Sequence, residues 1–323
     1  YDFTLFNDHN FGVLLGYEVT KEDYKRTYAQ GTNFPAGGLV ELNVAATPQE
    51  VGSITDKERM ISYFGRLNYD YLDKYYASFS IRTDGSSRFA PDHQYGTFWS
   101  VGLNWRVNEE AFLKDYDWIN DLKLRASYGT SGNKSSDYLY GYQGLYLSGN
   151  NYNGQAGITH NQLPNNDLTW EKSKSFNVGL DFSVFNRLSG SVEYYVKKSS
   201  ALLLEKPLAG STGLDAIISN LGGMKNSGLE FELHSSNVKV RNFAWNTDFN
   251  LSWNKNKITS YPQDEEVVGT KIRKVGYSLY EFYLQEWAGV DKETGSPLWF
   301  KDVKDADNNP TGERETTNSY SKA

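Results

Sequence analysis

The chain has 323 residues, a formal net charge of −7, no cysteine, two methionines and 24 tyrosines. Without cysteine there is no disulfide framework and no thiolate metal site, and the acidic balance leaves no basic face for nucleic acid. Hydrophobic residues make up 38% of the chain, thin for the core of a large soluble protein. No apolar run reaches the roughly 18 residues of a membrane helix, an exclusion that does not extend to barrel strands, which are short and two-faced. The chain opens at Tyr1 without a charged-then-apolar leader, so a targeting peptide is expected to lie outside these residues.

In chain order, short strands are expected at 1–6 and 11–19. Alternation of period two then predicts strands at 59–71, 75–84, 95–107, 121–129, 176–184, 188–197, 229–235 and 243–254, with one or two more after 276. In "FAWNTDFNLSWN", one face reads Phe243, Trp245, Thr247, Phe249, Leu251 and Trp253, and the other Ala244, Asn246, Asp248, Asn250, Ser252 and Asn254. Across these strands the charges, among them Arg66, Arg82, Arg125, Asp181, Glu193, Glu230 and Glu232, fall on the face opposite the apolar one.

A soluble β-sandwich also alternates. Three features favour a membrane barrel instead. The strands approach the length of a tilted bilayer span. Tyr69, Tyr71 and Tyr75 sit beside one turn, as in an interfacial girdle. Connections also alternate in length: Leu72–Lys74, Asn186–Arg187 and Asn237–Asn242 are tight, while 20–58, 130–170, 199–222 and 256–275 are long. Segment 108–121 reads as a short helical link on the short-turn side. The fold expected is all-β, an antiparallel transmembrane β-barrel represented by about 10–11 strands of a larger up-and-down wall.

The stretches "RTDGSSRFAPDHQYGTFWSVGLNWRVNEEAFLK", "WINDLKLRASYGTSGN", "NNDLTWEKSKSFNVGLDF", "NRLSGSVEYYVKKSSALLL", "GGMKNSGLEFEL" and "WAGVDKETGSPLWF" are spread in order through most of 59–300. Together they resemble the SusC/RagA family of TonB-linked outer-membrane transporters. Trp99 departs from the Pro expected after "GTF". The resemblance implies that residues 1–323 are part of a TonB-dependent receptor barrel domain in the bacterial outer membrane. Signal peptide, plug and C-terminal strands are expected outside the chain. It further implies active import of oligosaccharides or peptides, energy from a TonB complex, and a SusD-like surface lipoprotein as lid. No enzyme activity and no cofactor are implied. A passive, structural or adhesive barrel and a soluble carbohydrate-binding sandwich are the alternatives.

Candidate chemistry is sparse. Arg82, Asp84 and Arg88 bracket the tip "RTDGSSR". A phosphate cradle needs a helix after its glycine, whereas Gly85 leads to Pro91 and strand. The tip therefore reads as a salt-bridged strand end, with direct contact to an anion or sugar as the other reading. His9, His93, His160 and His234 are single and form no metal pair. Asp305, Asp307 and Asn309 are spaced like the start of a calcium loop, but Pro310 stands where glycine is required. No nucleophile motif is present. The surface singled out is the loop 130–170, where Tyr138, Tyr140, Tyr142, Tyr146 and Tyr152 lie among Gly, Ser and Asn. Such tyrosines suit sugar faces and protein partners, and Tyr140, Tyr142 and Tyr146 are expected to take part in substrate capture or lid contact. The competing reading is a packed loop whose tyrosines bury one another.

Overall fold

The computed structural model describes residues 1–35, 38–135 with 37, 138–305 and 310–320. By internal contacts it falls into two units, Tyr1–Pro262 and Gln263–Ala323. The first holds twelve strands: β1 (Asp2–Leu5), β2 (His9–Thr32), β3 (Thr47–Tyr71), β4 (Tyr75–Ser86), β5 (Tyr95–Arg106), β6 (Ile119–Asn133), β7 (Leu145–Tyr152), β8 (Gln155–Gln162), β9 (Glu171–Val184), β10 (Leu188–Pro207), β11 (Ala216–Val240) and β12 (Phe243–Ser260). Ten of them form one antiparallel sheet in the order β1-β2-β3-β4-β5-β6-β9-β10-β11-β12, and β7–β8 is a separate hairpin. One sheet of sequential neighbours excludes the face-packed sandwich.

Because opposed residues share a face, register tests the two-faced reading. One row runs Phe3, Phe11, Tyr69, Ala77, Leu103, Ala126, Val178, Tyr194, Leu229, Trp253, apolar or aromatic at every strand. The adjacent row runs Asn10, Asp70, Tyr76, Asn104, Arg125, Gly179, Glu193, Glu230, Ser252. The apolar face is open: Leu15 is 85% and Trp253 59% exposed. That face is the lipid face.

Its upper limit also measures strand tilt. The row Val13, Leu67, Phe79, Val101, Tyr128, Phe176, Val196, Ser227, Lys255 crosses from β2 to β12. On β2 the outward face stays apolar for six residues beyond this row, to Val19, before Lys21 ends it. On β12 it has already ended two residues short of the row, at Trp253. The apolar limit thus slips by about one residue per strand. A rise of about 3.3 Å per residue against a strand spacing of about 4.8 Å corresponds to a tilt of about 35°, within the range of outer-membrane barrels.

At the opposite rim the turns are tight. Phe6–Asn7, Leu72–Asp73 and Phe185–Asn186 each place two successive residues at positive φ, the backbone of a twist-compatible two-residue hairpin turn. A row of rings lies just inside this rim: His9 and Tyr71 have centroids 4.6 Å apart, Tyr71 and Tyr75 6.3 Å, and Tyr75 and Trp105 6.4 Å. The expected helical link at 108–121 is instead a single 3-10 turn at Val107–Glu109 followed by irregular turns. Glu110 fixes it, accepting from the Tyr75 hydroxyl at 2.5 Å and the Trp105 indole at 3.1 Å.

The long connections are shorter than expected. β2 and β3 stay paired from His9–Tyr71 to Thr32–Thr47, leaving 33–46 as the connection in place of 20–58. β10 and β11 stay paired to Pro207–Ala216, so 208–215 replaces 199–222. β12 runs to Ser260, through the start of the expected connection 256–275. Beyond the bilayer both faces become polar, so alternation disappears while the hydrogen-bond ladder continues.

The second unit contains the hairpin β13 (Glu265–Val268) and β14 (Lys271–Lys274), and a three-stranded sheet of β15 (Trp287–Val290), β16 (Pro297–Lys304) and β17 (Pro310–Thr317). This exceeds the one or two strands expected after 276. Asp307 and Asn309 of the calcium-like spacing lie outside the described residues.

Leu180 and Val192 are opposed at mid-height of the lipid face. In the full-length protein, Val192→Arg is expected to cost about 2–4 kcal/mol. Asn250→Arg, on the inward face, is expected to cost under about 1 kcal/mol. Urea unfolding from lipid bilayers measures both; equal costs would overturn the assignment of faces.

Candidate functional site at the long-loop rim

The inward face is polar and ion-paired. On β6, β9 and β10, Arg125 meets Asp181 at 3.1 Å and Glu193 at 2.7 Å, and Lys123 meets Asp181 at 3.1 Å. Nearer the long loops, Arg82 contacts Asp84 at 2.6 Å and Glu18 at 3.0 Å, and donates to the Ser62 hydroxyl at 2.8 Å. Its guanidinium lies 5.2 Å from the centroid of Phe64. The Phe64 ring in turn occupies the space where a side chain on Gly16 would project. Such a wall presents charge and hydrogen-bonding groups on its inner side.

Arg88 belongs to a different environment. The sequence places it in an exposed tip, but it is buried beside a buried Glu58, 2.7 Å away. Lys134 also pairs with Glu58, and Arg88 donates to the Ser135 carbonyl. Burial raises the Glu58 pKa, but hydrogen bonds from Arg88 and Lys134 outweigh it and hold the carboxyl below the usual range. This group pins the start of the 134–170 connection to β3.

The rest of that connection is anchored by a small apolar cluster of Phe89, Phe98, Leu168, Trp170, Leu203 and Ile218. Tyr138 and Tyr142 pack against it. The Lys57 N–H donates to the Tyr140 hydroxyl at 2.9 Å. Gln162 donates to the carbonyls of Tyr140, Gly141 and Gln143 at 2.8–3.1 Å. Asn220 donates to the Thr169 carbonyl at 2.8 Å and accepts from the Thr169 N–H at 2.9 Å. These amides fix the segments on either side of the β7–β8 hairpin, which has a ladder of its own. Sequence reasoning missed Glu58, Gln162 and Asn220; Gln162 and Asn220 lie just before the family-like stretches that begin at Asn165 and Gly222, and no motif marked Glu58.

The tyrosines therefore divide. Tyr138, Tyr140 and Tyr142 touch the body of the sheet, whereas Tyr146 and Tyr152 lie on the β7–β8 hairpin. Tyr146 is 61% exposed, with its ring centroid 4.6 Å from that of His160, and Tyr152 is 82% exposed. The hairpin turns at Asn153–Gly154, both at positive φ, an Asn-Gly turn suited to the strand twist. Among the described residues no group of three His, Asp or Glu side chains converges as a metal site.

A tilted antiparallel sheet with a lipid-facing outer side, a charged inner side, tight turns at one rim and structured loops at the other defines the wall of a transmembrane β-barrel. The chain belongs to the SusC/RagA group of TonB-dependent receptors and lies in the outer membrane: the family model "TonB dependent receptor-like, beta-barrel" matches residues 1–321. It is 34% identical over 302 residues to TonB-dependent receptor P3 of Formosa agariphila, covering 88% of this chain and 30% of that protein. It is 33% identical over 273 residues to TonB-dependent receptor SusC of Bacteroides thetaiotaomicron, covering 77% and 27%. A solved structure of the RagAB peptide transporter superposes with a TM-score of 0.84 at 30% identity, over 100% of this chain and 36% of that one. The chain thus spans about a third or less of the relatives it matches.

Replacing Glu58 with Ala leaves Arg88 buried without its partner, a loss of about 3–5 kcal/mol for such pairs. In the full-length receptor, Glu58→Ala is expected to open 134–144 to protease, and Glu58→Ala with Arg88→Met to restore part of the protection. Because the folded pKa of Glu58 is depressed, its contribution is present above the ordinary carboxylate range and is lost as pH falls through the folded value. Protection is therefore expected to hold at neutral pH and fail in acid. Unchanged cleavage on substitution would show that the pin does not hold the loop.

Proposed function

We propose that residues 1–323 form part of the barrel domain of a TonB-energised importer of oligosaccharides or peptides, closed on the outside by a SusD-like lipoprotein. The observation that carries this reading is the combination of family membership over 1–321 with a polar, ion-paired inner wall beneath a structured outer rim. The similarity to the RagAB peptide transporter supports import, and peptide remains beside glycan as the substrate class. A passive or adhesive barrel would have no use for TonB.

Within this reading the five tyrosines take two roles. Tyr146 and Tyr152 present exposed rings on the hairpin and serve as contacts for substrate or lid, since exposed aromatics anchor both sugars and protein partners. Tyr138, Tyr140 and Tyr142 hold the platform. Arg82 and Asp84 line the entrance below, while Arg88 serves the pin. In the full-length receptor, Tyr146→Ala with Tyr152→Ala is expected to lower uptake and lid co-purification at least fivefold with surface display intact. Tyr138→Ala with Tyr142→Ala is expected first to raise the protease sensitivity of the loop. Uptake that survives deletion of the TonB-contacting segment would reject TonB-energised import. Normal uptake and lid binding in the Tyr146/Tyr152 variant would reject only the contact role.

A further inference from the structure

One row of side chains on the outer face has no explanation within the fold. Lys174 of β9 is opposed to Lys198 of β10, Lys198 to Lys225 of β11, and Lys225 to Lys257 of β12. Four ammonium groups thus stand side by side across four adjacent strands. Each lies on the same face as the lipid-contacting residues, two to four positions beyond the last apolar one: Phe176, Val196, Leu229 and Trp253. Lys174, Lys198 and Lys257 are exposed and Lys225 is half-buried, and the exposed Lys172 and Lys255 flank the row.

Like charges directly opposite one another destabilise a sheet; on the inner face the opposed pair Glu193 and Glu230 has Arg125 beside it, 2.7 Å from Glu193. The inward cations Lys123, Arg125 and Arg82 meet carboxylates, and Arg66 donates to the Asn68 amide oxygen at 3.1 Å. The acids of the two-faced parts of β9–β12, Asp181, Glu193, Glu230, Glu232 and Asp248, all point inward. Among the described residues none of the four lysines has an ion-pair partner. Snorkelling of isolated lysines at the membrane edge is common, but it does not account for four in register. The compensating negative charge must come from outside the chain, at the height where the apolar band ends and polar headgroups begin.

We infer that the Lys174–Lys198–Lys225–Lys257 row binds the phosphate groups of outer-leaflet lipid headgroups. The apolar residues immediately below the row receive the acyl chains, so one lipid can satisfy both surfaces. Phosphate supplies dispersed negative charge and several acceptor oxygens per headgroup, which suits ammonium groups about 5 Å apart at the backbone. The inference rests on the outer-membrane location and the assigned faces, and is independent of what the receptor imports.

The test uses the full-length receptor in detergent, titrated with lipid A, with its phosphate-free counterpart and with inorganic phosphate, and read by native mass spectrometry and thermal shift. Each cation beside an anionic membrane surface contributes a factor of about five. Changing all four lysines to Gln is therefore expected to weaken lipid A binding at least tenfold, and changing them to Arg to preserve it. Wild-type affinity is expected to fall with added salt, a readout that stands even if the Gln variant fails to assemble. The inference is overturned if the Gln variant binds lipid A like wild type, if affinity ignores salt, or if phosphate-free lipid binds equally. It is also overturned if inorganic phosphate alone gives the same stabilisation. Loss of lid co-purification with lipid A binding intact would assign the row to a protein partner and likewise overturn it.

Discussion

A backbone amide in hydrocarbon has no water to bond, and each unpaired group costs several kcal/mol. This constraint explains why the chain is built as one uninterrupted ladder. From β1 to β12 every strand pairs with its chain neighbour, except where β7–β8 interrupts the chain outside the sheet. The ladder leaves side chains free to serve two solvents. Outward rows match lipid and inward rows match water, and the same register enforces both. A one-residue slip would exchange the Phe11–Trp253 row for the Asn10–Ser252 row and place Asp70, Arg125 and Glu193 in lipid. Register here is held by the bilayer rather than by a protein core.

That division explains the distribution of buried apolar side chains. The buried cluster around Phe89, Phe98 and Trp170 stabilises loops at the outer rim, while the spanning part of the sheet has lipid in place of a core. Burial also changes the meaning of charge. Arg82, partly exposed on the inner face, keeps solvent beside its ion pairs, whereas the Arg88–Glu58 pair is enclosed. Similar residues, six positions apart in "RTDGSSR", thus contribute to the inner face of the sheet and to a structural pin.

The spanning strands were legible in the sequence because the two solvents impose period two on Phe243–Asn254 and its counterparts. The extensions were not. Past Val19 the β2 sequence reads Lys21, Glu22, Asp23, Lys25 and Arg26, polar on both faces, so nothing periodic marks a strand that continues to Thr32. The link after Val107 looked helical by composition, but Glu110 is held by Tyr75 and Trp105 across the rim, contacts that local pattern does not encode. The tyrosine-rich loop was visible as a surface, but its division was not. Whether Tyr142 packs and Tyr152 projects is decided by Leu168 and Ile218, residues remote in the chain. The four lysines were equally hidden: each is unremarkable in its own strand, and only register brings them side by side.

The extended hairpins alter the mechanics of the outer rim. A strand of 25 residues such as β3 is about 80 Å long, so at a tilt of about 35° much of it rises above an apolar band about 25 Å tall. The loops therefore stand on paired, hydrogen-bonded stalks rather than on slack chain. A load applied at a stalk tip is carried by many ladder bonds acting in shear, and reaches the embedded wall with little give. A visiting molecule meets a frame whose backbone order was established during folding, so little conformational freedom remains to be lost on contact. The outer rim acts as stiff scaffolding, and any gating motion there must come from hinges in the connections or from a second protein.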